Sequence, residues 1–218
     1  ENGESFIEKV KEKDVNHFEC PELNPLDLRV PAETEKVNVI KAIDGQLITE
    51  KEIVDMDAVD GYITTSTEND ILKIVVQNRY NESKPSVAFI KGFGLKRGAI
   101  ASTVAHDSHN IIAVGTNDED LAGAINLLVK SKGGISVKSE EDKLVLPLPV
   151  AGLMTSEDIH SVAKKYEDID NKAKTLGCKL KAPFMTLSFM ALLVIPEIKI
   201  SDKGLFDAGK FKFISLFQ

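Results

Sequence analysis

Between residues 71 and 115 four short apolar runs recur, separated by polar or glycine-bearing breaks, and this spacing constrains the fold more than any other feature. The runs occupy residues 71–76, 87–90, 99–105 and 111–115. Each is too short for an ordinary helix and reads as a strand, the last with the unbroken apolar character of a buried one. Asn117-Asp118-Glu119-Asp120 follows at once, a cap residue and three carboxylates suited to a helix N-terminus. The predicted helix carries Leu121, Ala124, Ile125, Leu128 and Val129 on one face and stops near Gly133-Gly134.

Downstream, residues 135–137 and 144–146 bracket the polar stretch 139–142 and read as a hairpin. A second helix is expected from near Thr155, burying Ile159, Val162, Ala163, Tyr166, Ile169 and Ala173, with Gly177 closing it. Upstream, residues 37–41 alternate as a strand that ends at the turn pair Asp44-Gly45, and residues 46–49 read as its partner or its continuation. A regular α/β alternation is expected from about residue 50. Before residue 36 the chain reads as an opening and linker: Asn2-Gly3 signals a turn, Phe6, Ile7 and Val10 form a short amphipathic stretch, and Pro21, Pro25 and Pro31 favour an extended path. The expected fold class is α+β or mixed α/β, β-sheets with packed helices.

Composition narrows the function classes. With 43% hydrophobic and 28% charged residues over 218 positions, the chain can bury a core without a disulfide or metal staple. Cys20 and Cys178 lie far apart with no ligand-type spacing, which favours a reduced, cytoplasmic setting. The net charge of −7 and the scattered lysines argue against a nucleic-acid partner, because phosphate binding needs clustered positive charge. Glu1-Asn2-Gly3-Glu4 is no signal peptide, and the missing initiator Met reads as a portion of a longer protein. The most apolar stretch, residues 184–195, would reach roughly 18 Å as a helix against a hydrocarbon core of ~30 Å, so it reads as core and no membrane partner is expected.

Reactive side chains concentrate in one segment, His106-Asp107-Ser108-His109-Asn110, between two apolar runs. In an extended chain His106 and His109 would point to opposite faces while Asp107 and His109 share one; a turn would bring both imidazoles together. Such polarity beside buried strands must be hydrogen-bonded. It is either a pocket wall that binds a polar ligand or a self-satisfied turn. His and Asp suit Zn or Mn, yet the sequence contains no HExxH, no H-x-H and no ligand-spaced Cys, and His17 and His160 are isolated. The stretch 92–98, with Gly92, Gly94 and Gly98, lacks the full phosphate-loop pattern and opens a strand, so it reads as a tight turn with an exposed Lys96-Arg97 pair. Asp118, Glu119 and Asp120 read as helix-start electrostatics, Met185 and Met190 as core.

Longer strings go further. The run from Lys91 to Ser102 (KGFGLKRGAIAS), leading into His106-Asp107-Ser108-His109-Asn110, resembles the C-terminal domain of bacterial and archaeal adenine deaminases. So do Val114 to Asp120 (VGTNDED), Leu146 to Met154 (LPLPVAGLM), Pro183 to Phe189 (PFMTLSF) and Phe211 to Phe217 (FKFISLF). The resemblance implies a domain appended to a (β/α)8 barrel of the amidohydrolase superfamily. That barrel would hold a binuclear divalent metal centre, Mn or Fe, whose hydroxide attacks C6 of adenine to give hypoxanthine and ammonia. Because the barrel's H-x-H is missing, this chain is expected to hold no metal itself, to contribute no catalytic residue of its own, and to be inactive alone. Residues 1–48 would be the return through a small β-domain, with Glu1 to Glu4 at a hairpin tip, and residues 49–218 the appended domain. His106, Asp107, Ser108, His109 and Asn110 would face the barrel mouth, binding substrate or orienting groups behind the metal ligands. The implied partners are the chain's own barrel, adenine and further copies in a homo-oligomer. A stand-alone purine-binding module and a purely structural interface or oligomerisation domain are the competing readings.

Overall fold

The computed structural model describes residues 15–218; the expectations at Glu1 to Glu4 and at Phe6, Ile7 and Val10 fall outside these. The strands are β1 (Val30–Pro31), β2 (Lys36–Ala42), β3 (Thr49–Asp55), β4 (Ala58–Val59), β5 (Tyr62–Ile63), β6 (Leu72–Gln77), β7 (Ser86–Lys91), β8 (Ala99–Ser102), β9 (Ile111–Gly115), β10 (Gly134–Lys138), β11 (Lys143–Pro147), β12 (Ile198–Ser201), β13 (Gly204–Asp207) and β14 (Lys212–Ile214). The α-helices are α1 (Asp118–Ser131), α2 (Ile159–Thr175) and α3 (Pro183–Phe189), and a 3-10 turn spans Pro25–Leu28, within the stretch expected to be extended. Eight strands form one sheet in the order β11-β10-β8-β9-β6-β7-β2-β3, and β1-β5-β4 and β12-β13-β14 make two small sheets. In the large sheet only β2 and β7 pair in parallel; the other neighbours are antiparallel. Strands β3 to β9 follow one another through turns and loops, so the α/β alternation expected from residue 50 is replaced by a strand series with its helices afterwards. The class is α+β with a mixed sheet.

Both faces of the large sheet are covered, which is why its central strands read as unbroken apolar runs. On β9, Ile111 and Ala113 join the cluster under α1, while Ile112 and Val114 join the cluster under α2, α3 and the β12–β13 ribbon. The α1 face is lined with small residues, Ala99, Ala101, Ala113 and Gly115, so the helix approaches closely. A Cβ on Gly115 would lie 2.6 Å from that of Ala99 and 2.7 Å from Leu121. Asn117 caps α1 by accepting from the Asp120 N–H at 2.7 Å, and Leu121, Ala124, Ile125 and Leu128 are buried as expected. At the C-cap Lys132, not a glycine, takes the left-handed conformation (φ 54°), and Gly133 and Gly134 lead straight into β10.

Three details depart from the sequence reading. Helix α2 starts at Ile159, capped by Asp158, rather than near Thr155; Ile159 and Ala163 are exposed, and Ile169 and Ala173 carry its buried face. Met190 is buried, but Met185 projects from α3 to the surface. The partner of β2 is residues 49–55, where only residues 46–49 were expected as its partner or continuation. No helix among the described residues is long and apolar enough to cross a membrane.

Candidate functional site in the 103–110 loop

Strand β8 ends at Ser102, whose Oγ accepts the Val104 N–H at 2.9 Å and turns the chain out of the sheet. Thr103 fastens the start of the loop by accepting from Gly134 N at 2.8 Å. The loop rejoins the sheet at Ile111, opposite Gln77 at the end of β6, so it sits beside the loop that follows β6. This is the end of the sheet where the candidate residues gather.

His106 donates its backbone N–H to Ser188 O on α3 at 3.0 Å, and its ring packs 4.8 Å from that of Phe189. His109 takes a left-handed conformation (φ 53°), unusual for a side chain of its size, and its N–H reaches back to Ala105 O at 2.7 Å. The turn brings the two imidazoles together, ring centroids 5.7 Å apart. Asp107 and Ser108 are exposed at its tip. Asn110 is buried and serves the turn: its Oδ1 accepts from Arg79 N at 3.3 Å and its Nδ2 donates to Ser108 Oγ at 3.2 Å.

Electrostatics separate the members. His109 titrates below the ordinary histidine range, first because burial disfavours its charged form, then through His106 and Arg79, with Asp107 opposing. It is neutral near pH 7, so one ring nitrogen is an acceptor and the other a donor. Its Nδ1 is buried and makes no hydrogen bond within the described residues. A buried polar atom without a partner is costly, and a ligand or water would relieve it.

Sequence reasoning missed the pair that holds the loop, Arg79-Tyr80. Tyr80 OH donates to Ser108 O at 2.7 Å, and the Arg79 guanidinium donates to Tyr80 OH, Ala151 O and Asn16 Oδ1 at 3.0, 2.8 and 3.2 Å. The guanidinium also lies over the rings of Phe18 and Tyr80, 5.6 and 4.6 Å from their centroids. No motif marks these residues. The signal available was a charged side chain two residues beyond the end of β6, where a buried Arg is rare unless it is anchored.

Beyond the turn tip, a cavity of about 450 Å³ is lined by Asp107, Ser108, Asp202 and Lys203 on its polar rim and by Phe206, Phe211 and Phe213 on its apolar wall. The larger cavity, about 820 Å³, is formed by residues such as Leu26, Arg29 and Lys84 and involves none of the turn. No group of three or more His, Cys, Asp or Glu side chains among the described residues converges as a metal site. The glycine-bearing 92–98 segment is organised from within: Asp70 accepts from Gly92 N and Gly94 N at 2.9 and 2.7 Å, leaving Lys96 and Arg97 exposed. Asp118 and Asp120 pair with Lys73 and Lys138 at 2.6 and 3.2 Å, in keeping with their helix-start role. His160 is exposed, and His17 stands against Glu19 at 3.3 Å.

Residues 46–212 match the family model described as the adenine deaminase C-terminal domain. The chain belongs to this family. It is 49% identical to an adenine deaminase of Salinibacter ruber, over its whole length and 40% of that relative. The adenine deaminase of Methanosarcina acetivorans is 47% identical over all of the chain and 41% of the relative, and that of Borreliella afzelii 42% identical over 98% and 39%. The chain thus spans about 40% of the length of the curated relatives it matches, and corresponds to their C-terminal part. The 103–110 loop lies within the family-matched region.

Proposed function

We propose that this chain is the C-terminal domain of an adenine deaminase, an enzyme converting adenine and water to hypoxanthine and ammonia, and that its 103–110 loop closes an active site built mainly by the preceding part of the protein. The binuclear metal centre, Mn or Fe, would belong to that preceding part; among the described residues no group of three or more His, Cys, Asp or Glu side chains suits one. The observation that carries the reading is the state of the loop. Its backbone is fixed by Arg79, Tyr80, Asn110 and Ser188, yet Asp107 and Ser108 project outward and His109 keeps a ring nitrogen without a partner. A loop held rigid with unused hydrogen-bonding capacity is suited to recognising a polar partner.

In this role a neutral His109 offers either a donor or an acceptor to a purine ring nitrogen or to a group that orients one. Asp107 accepts N–H donors, and Ser108 does both. None needs to move a proton to contribute. Residues 1–48 are proposed as the return through a small β-domain and a linker, and residues 49–218 as the appended domain. A cytoplasmic homo-oligomer completes the proposal. The test is His109→Ala in the full-length enzyme, with kcat, KM and bound metal measured together. Turnover should fall about 10- to 100-fold with metal content retained; unchanged turnover would remove the loop from the active site.

A further inference from the structure

The β12–β13–β14 sheet turns aliphatic side chains inward and aromatic ones outward, with the outer face covered at Lys199, which is buried against Leu47 O. Ile198, Ile200 and Leu205 point into the main core. Register places Lys199, Phe206 and Phe213 side by side on the other face, since Lys199 pairs with Phe206 and Phe206 with Phe213. Phe211 completes the set: its ring and that of Phe213 meet Phe206 edge-on at 5.4 and 5.2 Å. An antiparallel sheet with one solvated face is normally polar there. This one instead exposes Phe211 at 74% and Phe213 at 47%, beside Val194 at 62%, around the 450 Å³ cavity. Exposed aromatic surface rimmed by polar residues has the composition of a contact surface.

We infer that the outer face of β12–β14, together with Leu193 and Val194, is the surface on which the preceding portion of the longer adenine deaminase docks. Two observations choose this occupant. First, more than half of each relative lies outside the region this chain matches, so a large covalently joined body must find a seat. Second, the described chain enters beside this surface. Asn16 accepts from Arg79, and the ring of His17 stands 5.9 Å from that of Tyr80. Tyr80 in turn donates to Ser108 O. Ser108 and Asp107 then form the rim of the aromatic cavity, and Asn78 ties the same region to Asp202 at 2.9 Å. The segment at Asn16 and His17 is thus linked through Arg79 and Tyr80 to the tip of the 103–110 loop and the rim of the aromatic cavity. The inference rests on the reading that the loop faces that portion: the aromatic face supplies the apolar adhesion and the loop the polar recognition.

The experiment is hydroxyl-radical footprinting with mass-spectrometric readout on two samples. One is the 218-residue chain. The other is the full-length adenine deaminase that carries it, or this chain joined behind the preceding part of the Salinibacter ruber relative. Oxidation of Phe211 and Phe213 should fall roughly fivefold or more in the longer protein, as expected for the packed centre of an interface. Equal oxidation in both overturns the inference. Protection in the short chain that grows with concentration and accompanies a dimer in sedimentation assigns the surface to a second copy and also overturns it. Protection in the short chain at every concentration assigns it to the chain's own first residues and overturns it as well. Phe211→Asp removes the edge-on contact with Phe206 in both proteins and should lower the melting temperature of the longer protein by more than that of the short chain. An equal or smaller loss in the longer protein counts against the docking. Failure here is separable from failure of the loop's role: His109→Ala reports on turnover whether or not Phe211 is covered.

Discussion

Replacing Lys199 by Met should stabilise this domain at neutral pH, although the substitution removes a hydrogen bond. Lys199 has no exposed surface, and its Nζ donates to Leu47 O at 2.6 Å. Burial alone pulls the amine from its ordinary 10.5 down to about 8. Each tenfold loss of proton affinity is worth about 1.4 kcal/mol, so folding against that preference costs roughly 3 kcal/mol at pH 7. Methionine keeps the length and apolar stem of the side chain and discards the charge, leaving the Leu47 carbonyl without its donor at a cost of about 1 kcal/mol. The net expectation is a gain of about 2 kcal/mol at pH 7. The pH dependence fixes the sign. Between about 8 and 10.5 the unfolded chain binds a proton at this amine that the folded chain refuses, so native stability rises with pH across that window. The advantage of Lys199→Met should therefore shrink by about 1.4 kcal/mol per pH unit above 8 and turn into a small deficit near 10.5. Urea unfolding of both proteins at pH 7, 8.5 and 10, followed by circular dichroism because the chain has no Trp, measures the difference directly. Parallel pH profiles, or a variant less stable at pH 7, would refute the reasoning.

Asp70→Ala should lower stability by about 2–4 kcal/mol in the same assay, because two backbone N–H groups, of Gly92 and Gly94, lose a charged acceptor; Asp70→Asn, keeping one acceptor oxygen and tolerating φ 55°, should lose less. Gly134→Ala should prevent stable folding at 37 °C, read as loss of the cooperative thermal transition. Its Cβ would sit 2.2 Å from Leu146 O at a backbone φ of 143°. The His109 imidazole should show an NMR titration midpoint below the ordinary 6.5, and its contribution to stability, complete above that value, should decline as pH falls through it toward the folded-state midpoint; a midpoint above 6.5 would show that the ring is not buried as described. Tyr80→Phe should cost about 1–2 kcal/mol through the lost bonds to Ser108 O and from the Arg79 guanidinium, with a larger relative effect on turnover of the full-length enzyme than on stability.

The central strands were legible because burial on both faces writes itself into composition: β9 is apolar throughout, and β6 carries Leu72, Ile74, Val75 and Val76. Helix α1 was legible for a different reason, its Asn117 cap and first-turn carboxylates being local chemistry. Strand β3 escaped the sequence reading beyond its first residue because Thr49–Asp55 is the edge of the sheet. Its side chains answer to solvent and to Lys41, which meets Glu50 and Glu52 at 2.8 and 3.1 Å, while its place is set by backbone bonds that leave no mark on sequence. The α2 start was misplaced because apolar Ile159 and Ala163 suggested a buried face that tertiary packing does not cover. At the site, the turn itself was visible as clustered polarity between apolar runs. What braces it was not: Arg79 acts on Asn16 and Ala151, 63 and 72 positions away, and no local pattern encodes that.

The placement of the brace bears on how the domain would work. Three ends of secondary structure converge on the 103–110 loop: the exit of β6 through Arg79 and Tyr80, the end of α3 through Ser188 and Phe189, and the return to β9 through Asn110. A loop tied at so many points has little conformational entropy left to lose when it meets a partner, so its polar groups can serve recognition instead of ordering. The same Arg79 that fixes the loop also grips Asn16 on the segment where the described chain enters. Displacement of that segment by a preceding domain would therefore reach Ser108 through only two side chains, Arg79 and Tyr80. This predicts that substitutions at Asn16, remote from the loop in sequence, alter turnover of the full-length enzyme in the same direction as those at Tyr80. Independent, additive effects of Asn16→Ala and Tyr80→Phe would mean that the coupling does not run through the guanidinium.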